Sequence, residues 1–288
     1  MQLSGCRVTI VGLGLMGGSL GLALMDDEAC REVTGVARRG ETLRRATGRG
    51  AIHWGTLDLV EGVKEADLVI LATPVRTIID LLGRIGPHLK EGAIVMDLGS
   101  TKTAVARAMA ALPSGLQPVG GHPMCGRERA GIEAAEPDLY RGATFVLTPL
   151  ERTSEEALSL AQDLVEVIGA RPLILDPETH DSLVATTSHL PYLLAVALMD
   201  TLGEVGARDR RVYRLAASGF RDTSRLASSE VTMMLDILLT NGSQICQKAD
   251  LFCRSLALLL SALQDEDEEI LRQILAGAKR QREETAFP

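Results

Sequence analysis

A histidine at the end of a predicted strand is the strongest candidate for acid–base chemistry in this chain. His122 follows two glycines in the segment "GGHPM", residues 120–124. An imidazole titrates near neutral pH, so it can take a proton from a substrate hydroxyl and give it back. Ser100 ends a neighbouring predicted strand, where it would orient the imidazole or that hydroxyl. We predict His122 and Ser100 as catalytic residues; the alternative is a structural loop histidine.

The other histidines, and the cysteine nearest to His122, have simpler interpretations. Cys125 lies three residues after His122, so a nucleophilic Cys–His pair is conceivable, but free cysteine is more often a small packing residue. His53, His88 and His180 are predicted to be peripheral. No spacing of histidines, cysteines and acids indicates a ligand set, so we predict no metal site.

Glycines interrupt an apolar run near the amino terminus, "VTIVGLGLMGGSLGLAL". The run begins like a buried strand and continues like a helix, and Gly12, Gly14 and Gly17 form a GxGxxG pattern at the junction. Glycines there let a pyrophosphate approach the amides of the helix N-terminus, so the pattern predicts a dinucleotide site. Close packing of strand on helix is the alternative and explains the later glycines better. The predicted cofactor contacts of this segment are Gly12, Gly14, Leu15, Met16 and Gly17.

The end of the second predicted strand indicates which dinucleotide is bound. An Asp or Glu about 20 residues after the glycines accepts hydrogen bonds from the ribose of NAD. Here Ala37 takes that position and Arg38 and Arg39 follow, which removes repulsion toward a 2′-phosphate and supplies donors to it. We therefore predict NADP; the alternative is that both arginines belong to a solvated helix start. Thr73 and Pro74 end another strand and are predicted cofactor contacts as well.

The elements that position these residues alternate strand and helix at first, and are helical afterwards. Apolar runs such as "DLVILAT" and "AIVMDLG" alternate with helical patterns such as "TIIDLLGRI". This predicts an α/β chain, with a Rossmann-type, doubly wound, mostly parallel sheet in an NADP-binding domain, residues 1–176. Helical spacing then predicts an all-helical second domain, residues 177–288. Its apolar stripes exceed what one small domain can cover, which predicts a homodimer.

Composition excludes several classes of protein. The chain has 288 residues, 46% of them hydrophobic, and a formal net charge of −8, so no nucleic-acid partner is expected. We see no leader pattern and no apolar run near the length of a membrane span, which predicts a cytoplasmic protein without a membrane partner. The five cysteines lack paired spacing and lie mostly in apolar surroundings, which is typical of reduced, buried thiols.

Six segments, in chain order, carry a family resemblance that spans about residues 7 to 260: "VGLGLMGGSLGLAL", "DLGSTK", "GGHPMCG", "LYRGATFVLTP", "HDSLVATTSHLPYLLA" and "ASGFRDTSRLASS". Together they resemble the prephenate/arogenate dehydrogenase family of tyrosine biosynthesis. The resemblance implies a Rossmann domain followed by a helical dimerisation domain. It also implies oxidative decarboxylation of prephenate or arogenate with NAD or NADP.

The resemblance also implies roles for individual residues. His122 would hydrogen-bond and deprotonate the ring hydroxyl of the substrate, with Ser100 beside it. His189, in "SHLP", would face the substrate pocket; taken alone, it also reads as a helix-start histidine satisfied by backbone. Arg225 would bind a substrate carboxylate, and Arg221 stands where many members carry lysine, which keeps the charge but changes its geometry.

The choice of substrate rests on the resemblance and on one acid. The chain most resembles the cyanobacterial-type, NADP-dependent arogenate dehydrogenases, and Glu128 is a candidate for binding the amino group that distinguishes arogenate from prephenate. A prephenate dehydrogenase is the first alternative. A different NADP-dependent β-hydroxyacid dehydrogenase is another, although such enzymes usually use a helical lysine as acid/base. A non-catalytic NADP-binding sensor would need neither His122 nor Arg225.

Overall fold

The computed structural model describes residues 2–26, 29–127 and 129–286. The amino-terminal part is built on an eight-stranded sheet in the order β3-β2-β1-β4-β5-β6-β7-β8. Its strands are β1 Arg7–Val11, β2 Glu32–Val36, β3 Trp54–Thr56, β4 Leu68–Leu71, β5 Ile94–Asp97, β6 Gln117–Pro123, β7 Thr144–Pro149 and β8 Arg171–Ile174.

The sheet is parallel from β3 through β6, as predicted, and it reverses once at its far side. Strand β7 pairs antiparallel with β6, and β8 pairs parallel with β7. Strand β1 lies between β2 and β4, so the chain winds outward in both directions from it. Ligands of such sheets bind beyond the carboxyl ends of the strands at this switch point.

Helices cover both faces of the sheet, which is why its strands are apolar on both sides. Leu68 and Ile70 of β4 belong to the core on one face, and Val69 and Leu71 to the core on the other. The helices are α1 Leu15–Asp26, α2 Gly40–Gly48, α3 Leu59–Val63, α4 Val75–Ile85, α5 Thr103–Ala110 and α6 Glu155–Val167. Strand β3 and helix α3 had not been predicted, because each is too short to show a period.

From Pro177 onward the described chain is helical, as predicted. The first of these helices begins where the Asp176 carboxylate accepts a hydrogen bond from Thr179 N and a proline follows at the first helical position. The elements are α7 Pro177–Val184, a π-helical turn Ala185–His189, α8 Leu190–Arg208, α9 Val212–Leu215, α10 Ser218–Ser224, α11 Val231–Thr240, α12 Gly242–Gln264 and α13 Glu268–Glu284.

Much apolar surface of these helices is uncovered in the single chain. The exposed large apolar side chains of α8, α11 and α12 are Val196, Met199, Val205, Val231, Met233, Leu235, Leu239, Leu251, Leu256, Leu258, Leu260 and Leu263. The continuous helical run 177–208 is, by length and composition alone, apolar enough to cross a membrane. The expectation that no run approaches that length was therefore wrong, and only 22% of its most apolar stretch is buried.

The five cysteines are all free, and their burial is mixed. Cys6 and Cys30 are buried, as expected, and burial raises the pKa of each thiol to about 11. Cys246 and Cys253 are exposed on α12, so the expectation of apolar surroundings was wrong for them. Apolar neighbours in the sequence misled here, because both positions lie on the exposed face of α12.

Candidate active site

The glycine pattern forms a tight turn at the carboxyl end of β1. Gly12 donates its N–H to Val36 O at 2.9 Å and has a φ of 101°, in the region that favours glycine. A Cβ at Gly12 would lie 2.6 Å from Ala72 O, and one at Gly17 would lie 2.0 Å from Gly12 O. A Cβ at Gly14, by contrast, would meet no atom of the described residues within 4 Å beyond its chain neighbours. Gly14 therefore borders open space at the start of α1.

That open space has the features that a dinucleotide needs. Helix α1 begins at Leu15, so the first N–H groups of its N-terminus, including that of Met16, have no partner within the helix and suit an anion. Thr73 packs against Gly12, and its Oγ1 is buried without a hydrogen bond to any described residue. Pro74 follows as the N-cap of α4. These residues fit a bound nicotinamide dinucleotide.

A buried tyrosine that the sequence analysis did not single out binds the main chain just after the glycine turn. The Tyr140 ring is fully buried, and its hydroxyl donates a hydrogen bond to Met16 O at 2.7 Å. Burial raises the pKa of Tyr140 well above its usual range, so it stays a donor. The only sequence signal was its place in the family segment "LYRGATFVLTP".

The residues after β2 supply no acidic side chain at the position where the ribose of a bound dinucleotide is expected. Ala37 follows the last residue of β2, and the side chains of Arg38 and Arg39 are both exposed there. Arg45, one turn along α2, is instead paired with Glu41 and with Glu133. Exposed guanidinium groups beside the dinucleotide crevice suit a ligand that carries a phosphate.

Strand β6, which carries His122, packs closely against β5 on one side and β7 on the other. A Cβ at Gly120 would lie 2.0 Å from Thr148 Oγ1 in β7, and one at Gly121 would lie 2.5 Å from Asp97 O in β5. Only glycine lets the strand pack this closely on both sides. The strand end that presents His122 is therefore held firmly.

A second histidine and a carboxylate determine which nitrogen of His122 is free. His122 Nδ1 lies 2.8 Å from His180 Nε2, and His180 Nδ1 lies 2.8 Å from Asp181 Oδ1. The carboxylate can only accept, so we assign the proton of neutral His180 to Nδ1, and its Nε2 then accepts from His122 Nδ1. The lone pair of His122 is left on Nε2. His180 is fully buried at the site, so its prediction as peripheral was wrong.

Asp181 ties this pair to the start of α5. Its Oδ1 accepts from Lys102 N at 2.7 Å, and its Oδ2 accepts from Thr103 N at 2.8 Å. Burial alone would raise the pKa of Asp181, but hydrogen bonds from His180, Thr103 and Lys102 outweigh it and lower the pKa. The carboxylate thus stays ionised and keeps His180 oriented.

His122 is held neutral by its surroundings. The side chain is half-buried. Desolvation lowers the pKa of His122 well below its usual value, and electrostatic interactions with His180, Lys102 and His189 lower it further. A neutral imidazole with its lone pair on Nε2 is the form that can accept a proton from a substrate hydroxyl.

His189 is the last residue of the π-helical turn and directly precedes α8. Pro191 has no N–H and its ring crowds the preceding turn, while Leu190 N bonds to Ala185 O, five residues back. The ring is buried, and His189 Nδ1 lies 3.2 Å from Asn241 Nδ2, which donates to it. Desolvation lowers the pKa of His189 to about 4. The alternative of a helix-start histidine was right about its place before α8 and wrong about a backbone partner, because the Asn241 side chain holds the ring.

Three other predicted site residues lie after β5 and in or just after α10. Ser100 is half-buried after β5, but His180 rather than Ser100 holds the His122 ring. Arg221 of α10 is exposed and lies 3.7 Å from Asp222, and Arg225 is exposed in the next turn. Glu128 lies outside the described residues.

Cys125 fits the packing interpretation. The half-buried side chain packs against the apolar core, and burial raises the pKa of its thiol to about 11. The thiol is therefore protonated near neutral pH and is a poor nucleophile.

Comparisons with known proteins cover both halves of the chain. Residues 20–174 match the nucleotide-binding domain of prephenate dehydrogenase, and residues 176–277 match its dimerization domain. Prephenate dehydrogenase of Bacillus subtilis is 34% identical over 94% of this chain and 74% of its own length.

Solved structures agree with this match. Prephenate dehydrogenase from A. aeolicus, in complex with hydroxyphenyl propionate and NAD+, superposes with a TM-score of 0.90 at 32% identity, over 99% of this chain and 98% of that one. Synechocystis arogenate dehydrogenase gives a TM-score of 0.84 at 31% identity, over 96% and 99%. The chain belongs to the prephenate dehydrogenase family.

Proposed function

We propose that this oxidoreductase converts arogenate to tyrosine by oxidative decarboxylation, with NADP+ as hydride acceptor and His122 as general base. The observation that carries the proposal is the bonded series His122–His180–Asp181. It leaves a neutral imidazole with its lone pair on Nε2 beside a dinucleotide crevice. Such a base suits a reaction in which a ring hydroxyl loses its proton as the carbon bearing it loses hydride.

The chain's own residues bind, orient and move one proton. His122 Nε2 takes the proton of the ring hydroxyl, and the imidazolium that forms is stabilised through His180 by the Asp181 carboxylate. The nicotinamide, when bound, accepts the hydride. The ring carboxylate then leaves as carbon dioxide because the ring becomes aromatic. Ser100 lies at the neighbouring strand end, where we assign it to the substrate hydroxyl.

In this proposal, residues of the helical part supply the positive charge that binds the two carboxylates of the substrate. We assign Arg225 to one carboxylate and Arg221 to positioning the substrate, with His189 lining the pocket. One cation seldom positions two carboxylates, which is why two guanidinium groups are assigned. Glu128 stays a prediction for the amino group of arogenate.

NADP is proposed over NAD on the residues after β2. Ala37 offers no carboxylate to a ribose hydroxyl, and Arg38 and Arg39 are exposed beside the crevice. The A. aeolicus relative was solved with NAD+, so NAD is the alternative cofactor.

Two alternatives remain for the reaction. Relatives of similar identity are called prephenate dehydrogenase and arogenate dehydrogenase, so prephenate, giving 4-hydroxyphenylpyruvate, is the first. The second is a non-catalytic NADP-binding sensor.

We propose a homodimer formed by the helical part, residues 177–288, with the dinucleotide domain as residues 1–176. The uncovered apolar faces of α8, α11 and α12 support it, and so does the match of 176–277 to a dimerization domain. Light scattering should give twice the chain mass, and a monomer would contradict the proposal. The cytoplasmic location stays a prediction that cell fractionation tests.

The test of function is reduced-nicotinamide formation by the purified protein with arogenate or prephenate, each with NADP+ or NAD+. Turnover with arogenate and NADP+ alone supports the whole proposal. Turnover of prephenate with NAD+ would overturn both finer assignments and keep the family. Absence of turnover in all four pairs would favour the sensor.

A further inference from the structure

A buried ion pair lies directly behind the catalytic strand end. Lys102 and Asp97 have side chains that are almost wholly buried, and the Lys102 ammonium donates a hydrogen bond to Asp97 Oδ2. The rest of β5 is apolar. Apolar residues of similar size commonly stabilise a core as well as such a pair does, so stability alone does not explain it.

The ammonium reaches past Asp97 to the strand that carries the base. Lys102 Nζ also donates to Gly121 O at 2.7 Å, and Gly121 is the residue before His122. Asp97 holds the same glycine from the other side, because Gly121 N lies 3.2 Å from Asp97 Oδ1. Both polar groups of residue 121 are therefore bound by this ion pair.

The backbone of the same lysine holds the second half of the histidine pair. Lys102 N donates to Asp181 Oδ1, the oxygen that also accepts from His180 Nδ1. Lys102 thus contacts Gly121, next to His122, through its side chain. It contacts Asp181, the partner of His180, through its main chain.

We propose that Lys102 is a positioning residue of the dehydrogenase reaction, which fixes the Gly121 peptide before His122 and the Asp181 carboxylate behind His180, so that the two histidines meet. The inference rests on the proposed function for its kinetic consequence. Its electrostatic consequence stands separately, because the Lys102 charge also helps to lower the pKa of His122.

The groups that face His122 and Lys102 come from four elements. They are His180 and Asp181 of α7, His189 of the π-helical turn, Asp97 of β5, and Lys102 at the start of α5. Of these, Lys102 is the cation of the buried ion pair with Asp97. Its removal should therefore raise the pKa of His122.

The first experiment measures the His122 pKa by NMR in protein with isotope-labelled histidine. The chain has five histidines, so single substitutions can assign each signal. In Lys102→Met we expect the pKa of His122 to rise by about half a unit or more. Because a lone buried Asp97 can prevent folding, Asp97→Asn/Lys102→Met is made alongside. It removes one negative and one positive charge together, so little change in the His122 pKa is expected and kcat is its readout. An unchanged His122 pKa in folded Lys102→Met would overturn the proposal.

The second experiment measures kcat and the KM values of both variants. We expect kcat to fall about tenfold or more, because slight misplacement of a catalytic group is costly, with the cofactor KM little changed. In Lys102→Met the acid limb of kcat/KM should also move to higher pH with the pKa of His122. A kcat within twofold of the unsubstituted protein, with an unmoved acid limb, would overturn the proposal.

The matched control is a lysine–aspartate pair at the opposite edge of the sheet. Lys90 pairs with Asp67 before β5 and β4, and Asp67→Asn/Lys90→Met should leave both the His122 pKa and kcat unchanged. If the unsubstituted protein turns over none of the four substrate and cofactor pairs, the proposed function fails. The NMR titration then still decides whether Lys102 acts on His122.

Discussion

Replacing His180 with phenylalanine tests whether the second histidine orients and stabilises the first. Phenylalanine keeps an aromatic ring of similar size, but it cannot accept the hydrogen bond from His122 Nδ1, which is 2.8 Å long. It also separates His122 from the Asp181 carboxylate. We expect a folded protein with a slower chemical step.

The expected loss follows from the proton that His122 takes up. Once His122 is an imidazolium, its bond to His180 becomes charge-assisted, and such bonds contribute about 1.5 to 3 kcal/mol. At about 1.4 kcal/mol for each factor of ten, kcat/KM should fall about 10-fold to 150-fold. His180→Gln should lose less, because its amide oxygen can accept from His122 Nδ1.

Initial rates of reduced-nicotinamide formation, with the cofactor dissociation constant and the melting temperature, make up the assay. His53→Phe is the matched control: His53 Nδ1 accepts a hydrogen bond from Val33 N at 2.9 Å, in a part of the sheet away from His122. It should keep its rate. If folded His180→Phe retains kcat/KM within twofold, the histidine pair does not act as we describe.

Three further predictions follow from charge and burial. Arg38→Gln should raise the KM for NADP+ about tenfold, because a charge-assisted hydrogen bond to the 2′-phosphate is lost. The KM for NAD+ should stay unchanged, and equal effects on both KM values would contradict the NADP assignment. The acid limb of kcat/KM should lie below about pH 6.5, since the lowered pKa keeps His122 neutral; a limb at or above this value would show that it is not the titrating base. His189 binds a proton more readily in the unfolded protein, because its pKa is about 4 when folded and about 6.5 when unfolded. Acidification from about pH 6.5 to below pH 4 should therefore lower the free energy of unfolding by about 3 kcal/mol. In urea titrations His189→Gln should lose less unfolding free energy over this range, and an equal loss would refute the prediction.

Most of the fold could be predicted from the sequence because its signals are local. Apolar strands, amphipathic helices and the glycine turn each show within a few residues, and the mostly parallel sheet follows from their alternation. The short elements β3 and α3 show no such period. The single reversal at β7 depends on a pairing with β6 that no local pattern encodes.

The site was less predictable because its contacts join distant segments. His122 and His180 are 58 residues apart in sequence, and Asn241 reaches His189 from 52 residues away. His180 lies beside Asp181 in the family segment "HDSLVATTSH", and this adjacent His-Asp pair was the signal that could have indicated its role. Lys102 closes the segment "DLGSTK", but nothing local shows that its ammonium points into the core.

The most direct test of the account is the turnover of His122→Asn beside that of the unsubstituted protein, with NADP+ binding measured on both. The account predicts a loss of kcat of about a hundredfold to ten-thousandfold, the range for a positioned general base, with the NADP+ dissociation constant unchanged. Turnover by His122→Asn within tenfold of the unsubstituted protein would contradict the assignment of His122 as the base.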